Sequence, residues 1–406
     1  MQPKLSRKKK ILFALLTILI GIVAAGLLAE IVLRIYPPDW LKQQMNALNL
    51  EAAAQGFGSD AGWSVEKIDG KFVGLTPLTH FKVRYYEYEH EVNIDRWGGR
   101  VVNGNADKNS RTVVPFLGDS FMFGIGVEDR QTFVSLLNSK SPVQYVNFGV
   151  PGSALPQHLD LLDFRFKDFG SPPVCVFGFF TGNDFMDIVR YYRQSSKTNP
   201  DLVKNQSSIL RATNFLIQHF HVLGESFLIQ FCKQMAVVNS RETADDGQAR
   251  AAWSIKTPKA KRLSNPILVL MHKKQLFRKE AESYLKKSLD RLDKLSKEKH
   301  FVPVFIIIPD KVQVDGQLRA QRITRYGLSL DDFDPRLPDK IIGEQLHQYG
   351  MPYYDLFDCL NEQKGMYYKI DDHFTPAGTK FVAQCLADLN TMIAARMKVR
   401  GASISN

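Results

Sequence analysis

The sequence predicts an α/β fold built on a parallel sheet with helices on both faces. Short apolar runs rich in β-branched and aromatic residues recur along the chain, and helical stretches separate them. The chain has 406 residues, which is enough to bury a sizeable core. Its 44% of hydrophobic residues excludes a disordered chain, and its four cysteines are too few for a small disulfide scaffold.

The first element is an uncharged apolar segment near the N-terminus. Residues 11–29 carry no charge, and at 1.5 Å per residue they extend about 28 Å, close to the thickness of the hydrocarbon core of a bilayer. Residues 1–10 are basic, so the positive-inside rule predicts that they form a cytoplasmic tail. We therefore predict a transmembrane anchor over residues 11–36 and export of everything that follows. A cleaved signal peptide is the alternative, because the small residues around Ala24 would suit a signal peptidase.

The net charge of +11 is unevenly distributed, which argues against a nucleic-acid binder. Residues 1–10 contain five cations, and residues 250–300 contain 15 basic and 5 acidic residues, so the rest of the exported part is net acidic. The helical half of residues 250–300 is predicted to present a solvent-exposed, charged helix face. Its loop half, residues 250–262, is a candidate contact for an acidic glycan or anionic lipid head groups.

Two regions follow the anchor. Residues 37–112 form an extension with Gly-rich turns and an alternating, aromatic-rich stretch over residues 81–94. Residues 113–406 form the larger domain, with a helical insertion over about residues 190–300 that is too long for a simple crossover. The predicted strands are residues 113–117, 144–148, 174–180, 302–308 and, as a possible fifth, 352–356.

Helices are predicted where apolar residues recur at intervals of three and four positions. Residues 132–137 read as helical, and a longer helix is predicted from about residue 278 to 297. In the longer helix one apolar stripe is formed at three- and four-residue steps by Ala281, Tyr284, Leu285, Leu289, Leu292 and Leu295. Thr375 is predicted to cap a C-terminal helix that starts at Pro376. Its sheet-packing face is predicted to comprise Phe381, Val382, Cys385, Leu386, Leu389 and Ile393.

The cysteines do not suggest a metal or cofactor site, and the common cofactor-binding motifs do not occur in the sequence. Cys175 lies in an apolar run and Cys385 on the apolar face of the C-terminal helix, where a free cysteine behaves as a small hydrophobe, so we expect buried thiols. The sequence has no Cys-x-x-Cys pair, no His-Glu-x-x-His helix and no glycine-rich phosphate loop after a strand. We therefore predict no metal, nicotinamide or nucleotide site.

Chemistry-bearing residues follow the predicted strands in order. Ser120, within Gly118-Asp119-Ser120, comes directly after the first strand. Gly152 follows the second strand, Asn183 follows the third, and His373 precedes the last helix. Each motif by itself could be an ordinary turn or helix cap. Because the carboxyl ends of parallel strands share one edge of a sheet, the set is expected to converge there.

This ordered set resembles the SGNH (GDSL-type) hydrolase family over residues 113 to about 391, with the insertion set aside. The resemblance implies a flavodoxin-like three-layer α/β/α sandwich that cleaves or transfers acyl groups. It implies Ser120 as nucleophile and His373 as base. An oxyanion hole would be formed by the backbone N–H groups of Ser120 and Gly152 and the side-chain amide of Asn183.

The sequence departs from the family in its last block. The common Asp-x-x-His spacing would need Asp at position 370, but that residue is Ile370. The spacing here, Asp371-x-His373, resembles that of bacterial polysaccharide-modifying members. In an extended segment residues i and i+2 project to the same side, so we expect Asp371 rather than Asp372 to contact the imidazole.

We therefore expect a membrane-anchored serine esterase of the bacterial inner membrane, with its catalytic domain in the periplasm or outside the cell. Its expected substrates are O-acyl esters of cell-surface or secreted polysaccharide. An O-acetyltransferase with the same site is the first alternative, and a non-catalytic glycan-binding scaffold is the second. Lipase or thioesterase activity also stays open.

Overall fold

The computed structural model describes residues 65–68, 71–84, 87–103, 113–141, 143–169, 172–196, 276–325, 329–369 and 371–404, with isolated positions between 13 and 36. The chain divides into two units, one of residues 1–48 and 199–248 and one of residues 49–198 and 249–406. All the continuous ranges belong to the second unit. The predicted basic tail, almost all of the anchor, and residues 197–275 of the insertion lie outside the described residues. In the described part of the chain, no helix is long and apolar enough to cross a membrane.

The extension forms two antiparallel hairpins. Strand β1 (Val65–Ile68) pairs with β2 (Lys71–Leu75), and β3 (His80–Arg84) pairs with β4 (Glu89–Asn93). Strand β4 alternates between exposed and buried residues, as expected for a strand with one face on the core.

A five-stranded parallel sheet forms the centre of the domain. Its strands are β5 (Val113–Gly118), β6 (Gln144–Gly149), β7 (Val174–Phe180), β8 (Val302–Ile308) and β9 (Tyr353–Asp355). Each lies within one residue of its predicted range. The spatial order is β6-β5-β7-β8-β9, the 2-1-3-4-5 order of flavodoxin-like sheets, in which ligands bind where the strand order reverses.

Helices cover both faces of this sheet, giving three layers. Two clusters of buried side chains lie against the sheet: one includes the stripe of the long helix and residues of the extension, and the other includes the C-terminal helices. The helices are α1 (Ser120–Phe123), α2 (Phe133–Asn138), α3 (Leu155–Phe169), α4 (Asp184–Ser196), α5 (Leu276–Lys299), α6 (Lys311–Val314), α7 (Gly316–Arg325), α8 (Leu337–Gln348), α9 (Phe357–Leu360), α10 (Pro376–Cys385) and α11 (Ala387–Ile404).

The helical periodicity was a reliable guide to burial. In α5 the predicted stripe faces the core, and all its members except the partly buried Tyr284 are buried. The predicted C-terminal face is divided between two helices, because α10 ends at Cys385 and α11 begins at Ala387. Val382, Leu386, Leu389 and Ile393 of that face are buried.

The prediction of buried thiols was wrong for two of the cysteines. Cys359 of α9 and Cys385 of α10 form a disulfide, with their Cα atoms 6.3 Å apart. The two residues are 26 positions apart, and only the packing of α9 against α10 brings them together. Cys175 is a buried free thiol as predicted, and burial raises its pKa well above the ordinary range. Cys232 lies outside the described residues.

Candidate active site

Ser120 is held at the turn between β5 and α1. It is the first residue of α1, and the Asp119 side chain caps this helix by accepting a hydrogen bond from the backbone N–H of Phe121 at 2.9 Å. The end of β6 passes close beside the turn. A Cβ at Gly149 would lie 2.2 Å from the backbone nitrogen of Phe123, so only glycine allows this approach. Ser120 thus sits at the carboxyl edge of the sheet, where the strand order reverses.

Three of the predicted site residues form one chain of hydrogen bonds. Ser120 Oγ lies 2.8 Å from Nε2 of His373, and Nδ1 of His373 lies 2.7 Å from Oδ2 of Asp371. An ionised carboxylate only accepts, so Nδ1 carries the proton that is donated to Asp371, and Nε2 is left to accept from the serine hydroxyl. Ser120 and His373 are 7% and 6% exposed, and the Asp371 side chain is 1% exposed.

The charges around His373 favour its protonated form. Burial lowers the pKa of His373 and is the largest single effect. The negative charge and hydrogen bond of Asp371, followed by the charges of Asp119 and Asp372, outweigh burial and raise the pKa above its ordinary value. The site is therefore set to stabilise the imidazolium that forms when a histidine takes a proton from a serine.

Asp372 makes no hydrogen bond to the imidazole, in line with expectation, but its backbone conformation differs from the expected one. It adopts a left-handed conformation with φ of 65°, so the segment is not extended, and the reason given for choosing Asp371 was wrong. The Asp372 carboxylate accepts hydrogen bonds from Nζ of Lys311 at 2.9 Å and from Nη2 of Arg322 at 2.9 Å. Asp371 nevertheless contacts the imidazole, because the turn at residue 372 leaves its two neighbours on the same side of the loop.

The loop that carries Asp371 and His373 is held by several hydrogen bonds. The backbone N–H of Tyr368 donates to the carbonyl of His373 at 2.8 Å, and that of Thr375 donates to the carbonyl of Met366 at 2.9 Å. Thr375 caps α10 by accepting from the backbone N–H of Gly378 at 3.0 Å, and Pro376 is the first helical residue, as predicted. The loop thus enters α10 at a set angle.

The predicted oxyanion donors lie on the loops beside Ser120. Gly152 follows β6 and Asn183 follows β7, and these two strands are the neighbours of β5. Gly152 is exposed and has a φ of 72°, which favours glycine. Among the described residues, no hydrogen bond joins either to Ser120. Ser153 fixes the first loop through Oγ, which lies 2.9 Å from Nε2 of the buried His158.

Two buried aspartates next to the site hold its turns. Asp119 caps α1, and Oδ2 of Asp184 accepts from the backbone N–H of Phe180 at 2.9 Å. Burial is the main reason that the pKa of Asp119 is raised to about 6 and that of Asp184 well above its ordinary value. Each would therefore be more readily protonated than an exposed aspartate.

Aromatic rings form a wall on one side of the base. The Phe121 ring lies 4.8 Å from the His373 ring and stacks at 4.0 Å on Phe180, measured between ring centroids. Phe374 contacts Phe121 edge to face at 5.0 Å. This wall limits the access of water to the imidazole.

The sequence reasoning missed two contributions of the extension. Tyr88 and Glu87 both contact the residue-371 segment, 283 and 284 positions away. The buried Arg100 forms an ion pair with Asp129 at 2.7 Å and donates to the carbonyl oxygens of the turn after α1. The aromatic-rich alternation over residues 81–94 was the available signal, but it does not say what the strands pack against.

Across the described residues, no group of three or more His, Cys, Asp or Glu side chains is arranged to hold a metal ion.

Comparisons with known proteins were made at the level of both sequence and structure. No family model and no curated protein matches the chain. A member of the lipolytic protein G-D-S-L family from Veillonella parvula is similar in structure, at 10% identity and a TM-score of 0.35, over 69% of this chain and 98% of its own. A psychrotrophic esterase from Pseudoalteromonas is similar at 11% identity and a TM-score of 0.33, over 68% of this chain and 95% of its own. These values are too low to carry function, which depends on the chain's own side chains.

Proposed function

We propose that the protein is a serine-dependent acyl hydrolase with Ser120, His373 and Asp371 as its catalytic residues. The observation that carries the proposal is the unbroken chain from Ser120 Oγ through both ring nitrogens of His373 to Asp371, at 2.8 and 2.7 Å. A structural histidine needs neither a serine hydroxyl on one nitrogen nor a buried carboxylate on the other. Together, at a sheet edge where ligands bind, these three groups are suited to nucleophilic catalysis.

The reaction would follow from this geometry in two steps. Ser120 Oγ attacks the ester carbonyl carbon while His373 Nε2 takes the hydroxyl proton, and Asp371 stabilises the imidazolium. The C–O bond to the alcohol then breaks, and His373 returns the proton to the departing oxygen. Water attacks the acyl-enzyme by the same route and releases the carboxylic acid and free Ser120.

Negative charge that develops on the carbonyl oxygen would be held by three donors. These are the backbone N–H groups of Ser120 and Gly152 and the side-chain amide of Asn183. The Oδ1 atom of Asn183 is buried without a hydrogen-bond partner among the described residues. Loss of one such donor typically raises the barrier by about 3 kcal/mol.

The proposal includes a location, with the N-terminal segment as a single-pass anchor in the bacterial inner membrane and the catalytic domain exported. Support comes from the uncharged residues 11–29 and from the Cys359–Cys385 disulfide, since disulfides persist in oxidising compartments. A C-terminal alkaline phosphatase fusion should be active and a cytoplasmic reporter at the same position silent. The opposite pattern would rule out export.

The proposed substrates are O-acyl esters of cell-surface or secreted polysaccharide. Purified full-length protein in detergent would be assayed with p-nitrophenyl acetate and longer acyl esters, with and without a glycan acceptor. Turnover that is independent of acceptor supports the hydrolase. Turnover that requires the acceptor would instead make the protein an acyltransferase, because both reactions pass through the same acyl-enzyme. No turnover would favour a glycan-binding scaffold.

The nucleophile is tested separately. A fluorophosphonate should label the wild-type protein at Ser120 and should not label Ser120→Ala. Ser288→Ala is the control, because Ser288 is a buried serine of α5 whose hydroxyl contacts Tyr192 and the carbonyl of Tyr284 and no described residue of the site, and this variant should still be labelled. Labelling that persists in Ser120→Ala would remove Ser120 from the mechanism.

A further inference from the structure

The side chain of Asp371 accepts a hydrogen bond from a residue of the extension. The hydroxyl of Tyr88 donates to Oδ2 of Asp371 at 2.9 Å, and this is the same oxygen that His373 Nδ1 contacts at 2.7 Å. The other carboxylate oxygen, Oδ1, is buried and has no partner among the described residues. Two donors therefore converge on one oxygen, and within the described part of the chain these two bonds are the hydrogen bonds that hold the carboxylate.

The backbone of the same segment is held by the residue next to Tyr88. The Glu87 carboxylate accepts from the backbone N–H of Asp371 at 2.8 Å through Oε2 and from that of Lys369 at 2.9 Å through Oε1. A single side chain thus bridges two amides of the catalytic loop. Consecutive residues of the β3–β4 hairpin hold the acid by its main chain and by its side chain.

The Tyr88 ring is itself firmly seated. It is 9% exposed, and its centroid lies 4.8 Å from that of Tyr368 and 5.5 Å from that of His90. Tyr368 in turn donates through its hydroxyl to the carbonyl of Gly126 at 2.8 Å. The packed ring has little rotational freedom, so the Tyr88 hydroxyl is held in a fixed position when it donates to Asp371.

We propose that Tyr88 is a positioning residue of the catalytic site and that the β3–β4 hairpin supplies the contacts that hold Asp371 in place. The inference rests on the proposed function and extends it, because it makes the extension a part of the catalytic unit. Tyr88 acts through Asp371 and touches none of the reacting atoms. Its hydroxyl sets the direction of the carboxylate and shares the negative charge that Asp371 presents to the imidazole.

Removal of the Tyr88 hydroxyl should change the pKa of His373 in a defined direction. With one donor fewer, the Asp371 oxygen has more negative charge available for the imidazolium, so the pKa of His373 rises further. The charged or titratable groups near His373 also include His90, Asp119 and Asp372, and Lys311 and Arg322 pair with Asp372. Glu87 and Tyr368 lie beside Asp371. The substitution leaves all of these groups in place. Because the reaction needs neutral His373, the acidic limb of the rate profile moves to higher pH.

The test compares Tyr88→Phe with Tyr368→Phe in the full chain. Both variants remove one hydroxyl from the same aromatic cluster, but only the first touches Asp371. The rate of fluorophosphonate labelling at Ser120 is measured from pH 5 to 9, with thermal unfolding as a check of folding. We expect the Tyr88→Phe rate to fall about tenfold to a hundredfold at the plateau, and its acidic limb to move up by about half a pH unit, as loss of one bond to a charged group implies. Tyr368→Phe should keep the wild-type limb.

Two results would overturn the inference. One is a Tyr88→Phe profile that superimposes on the wild type in both plateau and limb, and the other is an equal shift in Tyr368→Phe, which would assign the effect to packing. Failure of the proposed function looks different, because the wild type itself would then not be labelled. In that case the NMR titration of His373 in ¹⁵N-histidine-labelled protein decides. A higher pKa in Tyr88→Phe supports the positioning role, and an unchanged pKa refutes it.

Discussion

Substitution by asparagine should have different effects at the two adjacent carboxylates, Asp371 and Asp372. It should lower the activity at the first and the stability at the second. Asp371→Asn removes a charge that is 1% exposed and lies 2.7 Å from His373 Nδ1. The asparagine can turn its NH2 group toward the ring, which forces the wrong tautomer, and it cannot stabilise the imidazolium. Loss of a triad carboxylate lowers kcat by up to about 10⁴, and we expect a decrease of this order with little change in stability.

Asp372→Asn should act on stability instead of on chemistry. It removes the charge that pairs with Lys311 and Arg322, whose side chains are 13% and 21% exposed. Hydrogen bonds to charged groups contribute about 1.5 to 3 kcal/mol each when buried and less when part-exposed. Asparagine keeps one acceptor oxygen and tolerates the left-handed conformation at this position. We therefore expect the free energy of unfolding to fall by about 1 to 2 kcal/mol and kcat to stay within about tenfold of wild type.

The assay is ester hydrolysis by both variants at equal folded concentration, with urea unfolding for stability. The reasoning would be refuted if Asp372→Asn lost activity as severely as Asp371→Asn while remaining folded. If neither variant lost activity, Ser120 and His373 would work as a dyad, and the contact with Asp371 would have no catalytic role.

Three further predictions concern stability and use urea unfolding as the measurement. Reduction of the Cys359–Cys385 disulfide should lower the free energy of unfolding by about 3.5 kcal/mol, the chain-entropy value for a 26-residue separation, and equal midpoints with and without dithiothreitol would contradict this. Asp129→Ala should destabilise by about 3 to 5 kcal/mol, because it leaves the buried Arg100 without its countercharge, and a loss below 1 kcal/mol would mean that the carbonyl partners of Arg100 suffice. His90→Phe should stabilise the protein at pH 5 relative to wild type by more than at pH 8. Burial, then the charges of Arg100 and His373, lower the folded pKa of His90 to about 3, so stability present above the unfolded pKa near 6.5 is lost as pH falls toward 3. An equal effect at both pH values would show that His90 does not titrate on unfolding.

The sequence alone determined the elements whose signals are local. The first four strands of the central sheet, β5 to β8, are buried almost throughout, so they read as continuous apolar runs. These four and the more exposed β9 were all predicted to within one residue. The stripe of α5 follows from helical spacing, and the start of α10 follows from Thr375 and Pro376. The order of Ser120, Gly152 and Asn183 after successive strands was enough to predict that they lie at one edge of the sheet, because parallel strands end on the same side.

Only the tertiary structure decided the features that depend on contacts between distant residues. The disulfide needs α9 and α10 to be neighbours, and nothing in the local sequence of Cys359 or Cys385 reports this. Asp372 takes a left-handed conformation, and its two cationic partners come from the segment after β8. A local rule about extended chains therefore predicted the contact of Asp371 with His373 for the wrong reason. Tyr88 reaches Asp371 across 283 positions, and alternation along β4 says only which side chains face inward. Periodicity encodes which face of an element is buried, whereas the partner across the interface is set by the packing of the whole chain.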